Sequence, residues 1–509
     1  DVPAAIEKII KKSLAKIPEK RYQRIEELAA DLQSVREKFM SKASVEKPFR
    51  GKHSIAVLPF VDMSPQKDQE YFCDGLAEEL INALTHIKTL RVAARTSAFS
   101  FKGEKYDVRE IGDKLNVDTV LEGSIRKAGE RLRITAQLVS VADGYHLWSE
   151  KYDRNMEDIF AIQDEISLAI VDKLKIELLG DEAALLVKRG TEDLEAYDLY
   201  IKGRFFWEQR GEGLGKAIEY FGRALARDPN YAQAYAGLAD SYNLLAFYGF
   251  MPSRDAFPVA RENALKALEI DSTIAEAHTS LGWIHQFYDW DLSAAENEFK
   301  RAIELNPSYA PTHYWYSTTL LFTDQGDEAL CENERAIEVD PLSVQANTQY
   351  GWNLLGLREY DRAIAQLKRV LELNPDYALA HWLLGSSYCY QSRYDDAIAE
   401  SRKAVDLSGN NSWMLSTLGW VYGMSGRTAE ARKVLAELTE RSEREYVRSM
   451  YFVLVYLGLD EFDQAFAWLD KAYEERDLWL IIVSIDQAFD GIRADPRFGA
   501  LLDKIKPEQ

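Results

Sequence analysis

Pro307, Pro341 and Pro375 stand 34 residues apart, each after an Asp or Asn, and this period constrains the fold more than any other feature. Pro229, after Asp228, belongs to the same set. Twelve residues ahead of each proline is an alanine (Ala217, Ala295, Ala329, Ala363), and five ahead stand Ala224, Ala302, Ala336 and Val370. The register continues through Ala397 with Ala404, Ala431, and Ala465 with Ala472, while Gly282, Gly351, Gly385 and Gly419 recur at one further phase. Two antiparallel helices approach closely only where small side chains face each other. A proline ends the second helix and sets the turn to the next pair. The expectation is a stack of about eight helix hairpins over residues 194–477.

A 34-residue period with this pattern resembles the tetratricopeptide (TPR) family. The resemblance implies a right-handed α-solenoid whose concave face, built of first helices, holds a peptide or a partner helix. The unit at 232–272 departs from it by about nine extra residues around 250–257, and position 32 is Ser272 in one unit and Gly409 in another. Inward positions read from the register carry Trp283, Trp352 and Trp420 (position 9), Tyr314 and Trp382 (position 5) and Trp413 (position 2). This aromatic stripe has almost no lysine or arginine, so it does not suit an acidic C-terminus. The expected occupant is an apolar or basic segment of a protein partner. The other reading of the same residues is that they fill gaps between neighbouring helices. Residues 478–509, with the phrase DPRF at 495–498, read as a segment capping the last apolar face.

Residues 54–180 have a different pattern. Residues 54–60 (SIAVLPF) form a nearly continuous apolar run suited to a buried strand. Asp74 is placed to N-cap a helix whose apolar face is Leu76, Leu80, Ile81, Leu84 and Ile87. A strand at 90–94, a short helix at 108–115, strands at 119–125, 132–141 and 145–152, and an amphipathic helix at 156–179 follow. Gly129 and Asp143-Gly144 supply the turns. The order is βαβα, a three-stranded meander and a helix, a small α/β sandwich. Residues 54–60, 71–76 (YFCDGL), 121–125 (LEGSI) and 144–152 (GYHLWSEKY) resemble the TolB-like family. That resemblance implies an interaction or ligand-sensing module without catalysis. Residues 181–193 read as a connection.

At the N-terminus, LAK at 14–16, PEKRY at 18–22 and a helical run at 25–35 resemble the last helices of a bacterial eukaryotic-like serine/threonine kinase. In that family the residue matching Arg21 pairs with a glutamate that ends the activation segment, for which this chain has no counterpart. An ordinary amphipathic hairpin is the alternative. Residues 40–53 read as a polar linker, and the start at Asp1 reads as part of something longer.

The chemistry expected of the chain is narrow. Kinase activity needs a phosphate-covering glycine loop, a phosphate-pairing lysine, and HRD and DFG phrases, none of which occurs. The stretch GEGLGK at 211–216 has Arg210 and Ala217 where a phosphate loop requires glycine and Ser or Thr, so it reads as a turn. His278, His313 and His381 share position 4 of their units, which makes their spacing repeat phase and not metal-ligand geometry. No cofactor or metal is expected. Net charge is −21, and it is uneven. Residues 1–53 carry 13 basic and 8 acidic groups, residues 54–180 carry 16 and 22, and the remainder holds −20. Such an acidic segment repels phosphate backbones, which argues against nucleic acid. Three scattered cysteines fit a reducing cytoplasm, and no apolar run approaches membrane-spanning length. Homo-oligomerisation has no sequence support. The expected function is a non-catalytic interaction scaffold of a bacterial signalling protein, the regulatory part of a kinase. The alternative is a small-molecule sensor, favoured by a polar pocket where the scaffold is favoured by an open aromatic groove.

Overall fold

A computed structural model describes residues 12–13, 24, 53–103, 106–129, 131–180, 182–211 and 213–505. The expectations for residues 1–39 and for the linker up to residue 52 therefore lie outside the described residues, save Lys12, Ser13 and Arg24. Residues His53–Gln509 form one compact unit.

That unit opens with a mixed sheet. Its strands are β1 (His53–Val57), β2 (Val61–Asp62), β3 (Leu90–Val92), β4 (Thr119–Ala128), β5 (Arg131–Ser140) and β6 (His146–Asn155). The order is β3-β1-β4-β5-β6, with β2 beside β4. β1 lies parallel to β3 and β4, and β4, β5 and β6 run antiparallel. Central β1 is apolar on both faces because both are covered. Ile55 and Val57 face helices α1 (Glu70–Thr85) and α4 (Ile159–Lys173), while Ala56 and Val120 face α3 (Val108–Leu115). α2 (Arg95–Phe99) follows β3. Strand β5 alternates: Leu132, Ile134, Ala136 and Leu138 point inward, Arg131 and Arg133 outward. Gly144, at φ +74°, makes the β5–β6 turn. One expectation is corrected. Asp74 does not cap α1, which begins four residues earlier. It lies buried inside the helix, where Lys102 Nζ reaches it at 2.7 Å.

After α5 (Glu182–Leu186) the chain is helical. The described helices pair as α6 (Leu194–Glu208) with α7 (Gly213–Arg227), α8 (Ala232–Phe247) with α9 (Ser253–Ile270), and α10 (Ala275–Ile284) with α11 (Leu292–Leu305). Next come α12 (Ala310–Phe322) with α13 (Gly326–Val339), and α14 (Val344–Gly356) with α15 (Tyr360–Leu373). The last three pairs are α16 (Ala378–Tyr390) with α17 (Tyr394–Leu407), α18 (Ser412–Met424) with α19 (Thr428–Ser442), and α20 (Ser449–Gly458) with α21 (Phe462–Glu474). The small residues sit where the two helices of a hairpin cross. A methyl group on Gly282 would come within 2.9 Å of the Phe299 ring, and one on Gly351 within 2.7 Å of Leu367.

The position-4 histidines tie each hairpin together. His313 Nδ1 lies 2.7 Å from Glu332 on the second helix, and its Nε2 lies 2.9 Å from the Pro307 carbonyl. His381 repeats this with Glu400 (2.5 Å) and Pro375 (3.1 Å), and His278 with Glu298 (2.6 Å) and Ser272 (3.4 Å). In the intervening unit Asn347 does the same work: it donates to the Pro341 carbonyl at 3.2 Å and accepts from Gln366 at 2.8 Å.

The C-terminal segment departs from a simple cap. Two 3-10 turns, Leu478–Ser484 and Gln487–Ile492, run back through the interior of the array before α22 (Pro496–Ile505). Gln487 donates to the Leu355 carbonyl at 3.1 Å, and Arg358 pairs with Asp490 at 2.8 Å. The array also closes on itself. Arg448, fully buried at the start of α20, pairs with buried Asp477 at 3.3 Å and donates to the Ala246 and Phe247 carbonyls at the end of α8. Arg476 donates to the Tyr288 carbonyl at 2.9 Å, and Tyr473 stacks on Trp290.

Replacing Arg448 by Met strands Asp477 as a buried, unpaired charge. Urea melts should show a loss of about 3–5 kcal/mol, with part of it recovered in the Arg448→Met, Asp477→Asn double variant. Additive losses in the two single variants would show that the pair does not hold the closure.

Candidate functional site

The six aromatic residues expected to line a groove fall into three groups. Trp283, Trp352, Trp382 and Trp413 gather along the interior of the array, where Trp382 and Trp413 meet edge-on at 4.8 Å. At their centre stands Trp479, which the repeat register does not reach. Its ring lies 5.1 Å from Trp413, 5.4 Å from Phe247 and 6.3 Å from Trp352. Trp420 is buried apart from these, against Tyr390 at 5.2 Å. Tyr314 is buried beside Trp315 at 5.1 Å and faces a different cavity. The expectation of an open groove is corrected by this packing. The stripe is covered by the chain's own residues 478–487, which leave a void of about 30 Å³ against Trp352 and Trp382. Phe247, from the unit with the insertion, completes the cluster by touching Trp283, Trp315, Trp413 and Trp479.

A second site lies where the sheet portion meets the first helices. α1 crosses α6 with Gly75 against Ile201, a contact that leaves no space for a side chain at 75. Tyr71 donates to Asp198 at 2.9 Å. A chain of ion pairs then runs across the junction: Arg204 to Glu78 (2.7 Å), Glu78 to Arg95 (3.0 Å) and Arg95 to Glu208 (2.9 Å). On the far side the turn after α13 is hooked to α2. Ser97 Oγ donates to Asp340 and accepts from the Leu342 amide at 2.8 Å, and the Ala94 amide donates to the Val339 carbonyl at 3.3 Å.

Between these contacts is a cavity of about 140 Å³. α1, the end of α6, α8 and the N-terminal ends of α10, α12 and α14 enclose it. Its ionisable groups divide into two kinds. Arg204, Arg95, Glu78 and Glu208 are ion-paired with one another. Arg210, Asp240 and Glu276 are half-buried and form no ion pair among the described residues, and the Glu276 carboxylate accepts from its own backbone amide. Arg210 adopts a left-handed backbone (φ +53°) and lays its guanidinium over the Trp207 ring at 3.7 Å, with Arg204 at 4.5 Å from the same ring. Buried polar atoms without a protein partner collect here: Arg210 Nη1, Gln233 Oε1 and Trp207 Nε1, with Asn243 Oδ1 and Trp283 Nε1 in an adjoining void of about 30 Å³.

Burial sets the electrostatics. It pushes the Asp240 and Glu276 carboxyls above the usual range, against the fields of Arg210 and Arg204. Glu208 is also penalised by burial, yet Arg95, Arg210 and Arg204 together hold it below the usual range. Asp340 is pushed up to about 6 by burial, although Ser97 and Thr96 donate to it. The arrangement suits binding of a charged small molecule. Among the described residues no group of three or more His, Cys, Asp or Glu is placed to hold a metal ion.

Comparison with known proteins gives two family matches. Residues 51–169 match a family described as HilA/YgeH-like transcriptional regulator, second domain, and residues 349–412 match the tetratricopeptide repeat. The chain thus carries TPR repeats. It is 38% identical over 236 residues to a protein named "Putative adenylate cyclase 3" from Rhizobium meliloti (strain 1021), over 45% of this chain and 40% of that protein. It is 25% identical over 294 residues to the transcriptional regulator HilA of Salmonella typhimurium, over 55% of this chain and 49% of that protein. The matched region thus spans less than half the length of these relatives. Among solved structures, yeast Tom70 aligns at 15% identity over 69% of this chain and 82% of its own, with a TM-score of 0.41. YrrB, described as a TPR protein with an unusual peptide-binding site, aligns at 26% identity over 39% of this chain and 97% of its own, with a TM-score of 0.26.

The hook at Asp340 carries a pH signature. Its native carboxyl titrates near 6 against an ordinary 3.8, so between about pH 4 and pH 6 the unfolded chain has released a proton that the native chain keeps. Its contribution to stability therefore falls as pH rises through that window and levels off above it. Asp340→Asn should match the wild type near pH 4 and exceed it at pH 7, by on the order of 1–3 kcal/mol in urea melts. Parallel stability profiles would refute the assignment.

Proposed function

We propose that this region is a small-molecule-responsive regulatory module of a larger signalling protein. The observation that carries the reading is the junction cavity. Half-buried Arg210, Asp240 and Glu276 form no ion pair among the described residues, the buried Arg210 Nη1 and Trp207 Nε1 have no protein partner, and such groups gather where a ligand is to be met. The position suits signal transmission, because a molecule there meets α1 of the sheet portion and five first helices together. The relatives support a regulatory role. Related sequence occurs in proteins named as an adenylate cyclase and as a transcriptional regulator, two different outputs, so what they share fits an input or coupling role better than a reaction.

Within this reading residues 54–180 form the α/β domain, 194–477 the TPR superhelix and 478–492 the segment that occupies its axis. The TolB-like resemblance of the α/β domain remains part of the proposal. The kinase-like phrase at 18–22 finds no support among the relatives, whose names point to other signalling outputs. A second reading is partner capture by the TPR array, and one observation favours it. The interior is lined with aromatic anchors, and its occupant is a pair of 3-10 turns which an apolar or basic partner segment would have to displace.

A thermal-shift panel of small cations, anions, zwitterions and neutral polar solutes separates the readings. Sensing requires a saturable rise in melting temperature with at least one charged class. Full occupancy at a hundredfold excess over Kd corresponds to about 2.7 kcal/mol. A rise given by a cation or a zwitterion should disappear in Asp240→Asn, and one given by an anion in Arg210→Gln. No rise with any class, in a folded chain, removes the sensing reading and leaves the scaffold.

A further inference from the structure

The cavity also constrains the chemistry of what binds. We propose that it takes a small zwitterion, its ammonium held by Asp240 and Glu276 and its carboxylate by Arg210. This rests on the sensing reading and narrows it to one class of ligand.

Size comes first. About 140 Å³ is close to the roughly 150 Å³ of a cavity that holds benzene, so the ligand has on the order of six to eight non-hydrogen atoms. That is well below the roughly 300 Å³ at which drug-sized pockets begin.

Charge comes second. Of the three arginines at the junction, Arg204 is taken by Glu78, and Arg95 by Glu78 and Glu208. Arg210 alone keeps an uncommitted guanidinium, and its buried Nη1 has no protein acceptor. On the other side Asp240 and Glu276 keep uncommitted carboxylates on neighbouring first helices, α8 and α10. A simple anion satisfies Arg210 and leaves two carboxylates without a counter-charge in the same cavity. A simple cation satisfies the carboxylates and leaves Arg210 stranded. A diamine worsens the second fault and a dicarboxylate the first. Only a ligand bearing both signs answers all three groups, and an ammonium, with three donors and no acceptor, can bridge two carboxylates.

The walls agree. Trp207 is pinned under Arg210 at 3.7 Å, so its face is already used, while its buried Nε1 has no protein acceptor. That leaves the ring's N–H edge as a second donor for the ligand carboxylate beside Arg210. Tyr309 and Tyr314, at the N-terminal end of α12, add aromatic surface to the lining.

Isothermal titration of the wild-type chain with β-alanine, ethylammonium, propionate, 1,4-diaminobutane and succinate tests this. β-Alanine should bind at least tenfold more tightly than either one-charge probe. Arg210→Gln should reduce it to the level of ethylammonium, and Asp240→Asn with Glu276→Gln to that of propionate. Circular dichroism checks that the variants fold. If they do not, displacement of β-alanine by the other probes in the wild type decides the ranking alone. Tighter binding of the diamine, the diacid or a one-charge probe overturns the zwitterion and leaves the sensing reading standing. Failure of every probe and of the wider panel overturns both.

Discussion

Each hairpin of the array depends on how closely its two helices can cross. Where Gly282 faces Phe299 or Gly351 faces Leu367, even one added methyl group would overlap the partner. Crossing this close, repeated every 34 residues, sets the tilt between successive hairpins and so the curvature of the whole superhelix. The buried links between the two helices, His313 with Glu332 and Asn347 with Gln366, then fix each crossing against sliding. They use different chemistry at equivalent positions, which marks them as spacers and not as a site.

Curvature carried through the units brings the end of α8 to the start of α20, and the rest of the architecture follows from that meeting. Arg448 joins residues about 200 positions apart by donating to the carbonyls that terminate α8. A superhelix that closes leaves a narrow axial space lined with indoles. Trp479 and its neighbours fill it, which converts a binding face into a core. Having the axis filled from within makes the array stiff, and a stiff array can report a small change at its edge to its far end.

The sequence made the repeats legible because periodic packing writes periodic residues. Ala295, Ala329 and Ala363 are buried at successive crossings for the same reason that they recur. It made the sheet legible because β1 is apolar on both faces and β5 on one. What it hid is aperiodic. Trp479 lies in the strongest apolar run of the chain, residues 478–485, and that run was the one available signal. Its destination, however, depends on a closure that no local pattern encodes. Phe247 precedes an insertion, where the register gives no guidance. Arg210 showed itself only as the residue that spoils a phosphate-loop phrase. Asp240 and Glu276 were two carboxylates among 83 acidic residues. Helix starts and ends from separate units bring these groups together, so their relation exists only in three dimensions. Tyr314 was singled out for the wrong neighbourhood, since position 5 of its unit faces the junction and not the axis.

The junction also bears on why the two portions stay together. Gly75 against Ile201 and the Arg204–Glu78–Arg95–Glu208 chain would suffice to dock α1 on α6 with all charges paired. Asp240 and Glu276 add nothing to that docking and burial disfavours their charged forms, while Arg210 remains charged and helps keep Glu208 ionised. Apolar residues at these positions would make a tighter and more stable junction, as replacing buried charges commonly does. Their presence at the junction is better explained by something it does than by what holds it. A ligand that supplies counter-charges to Arg210, Asp240 and Glu276 would bind the native junction and stabilise it by mass action.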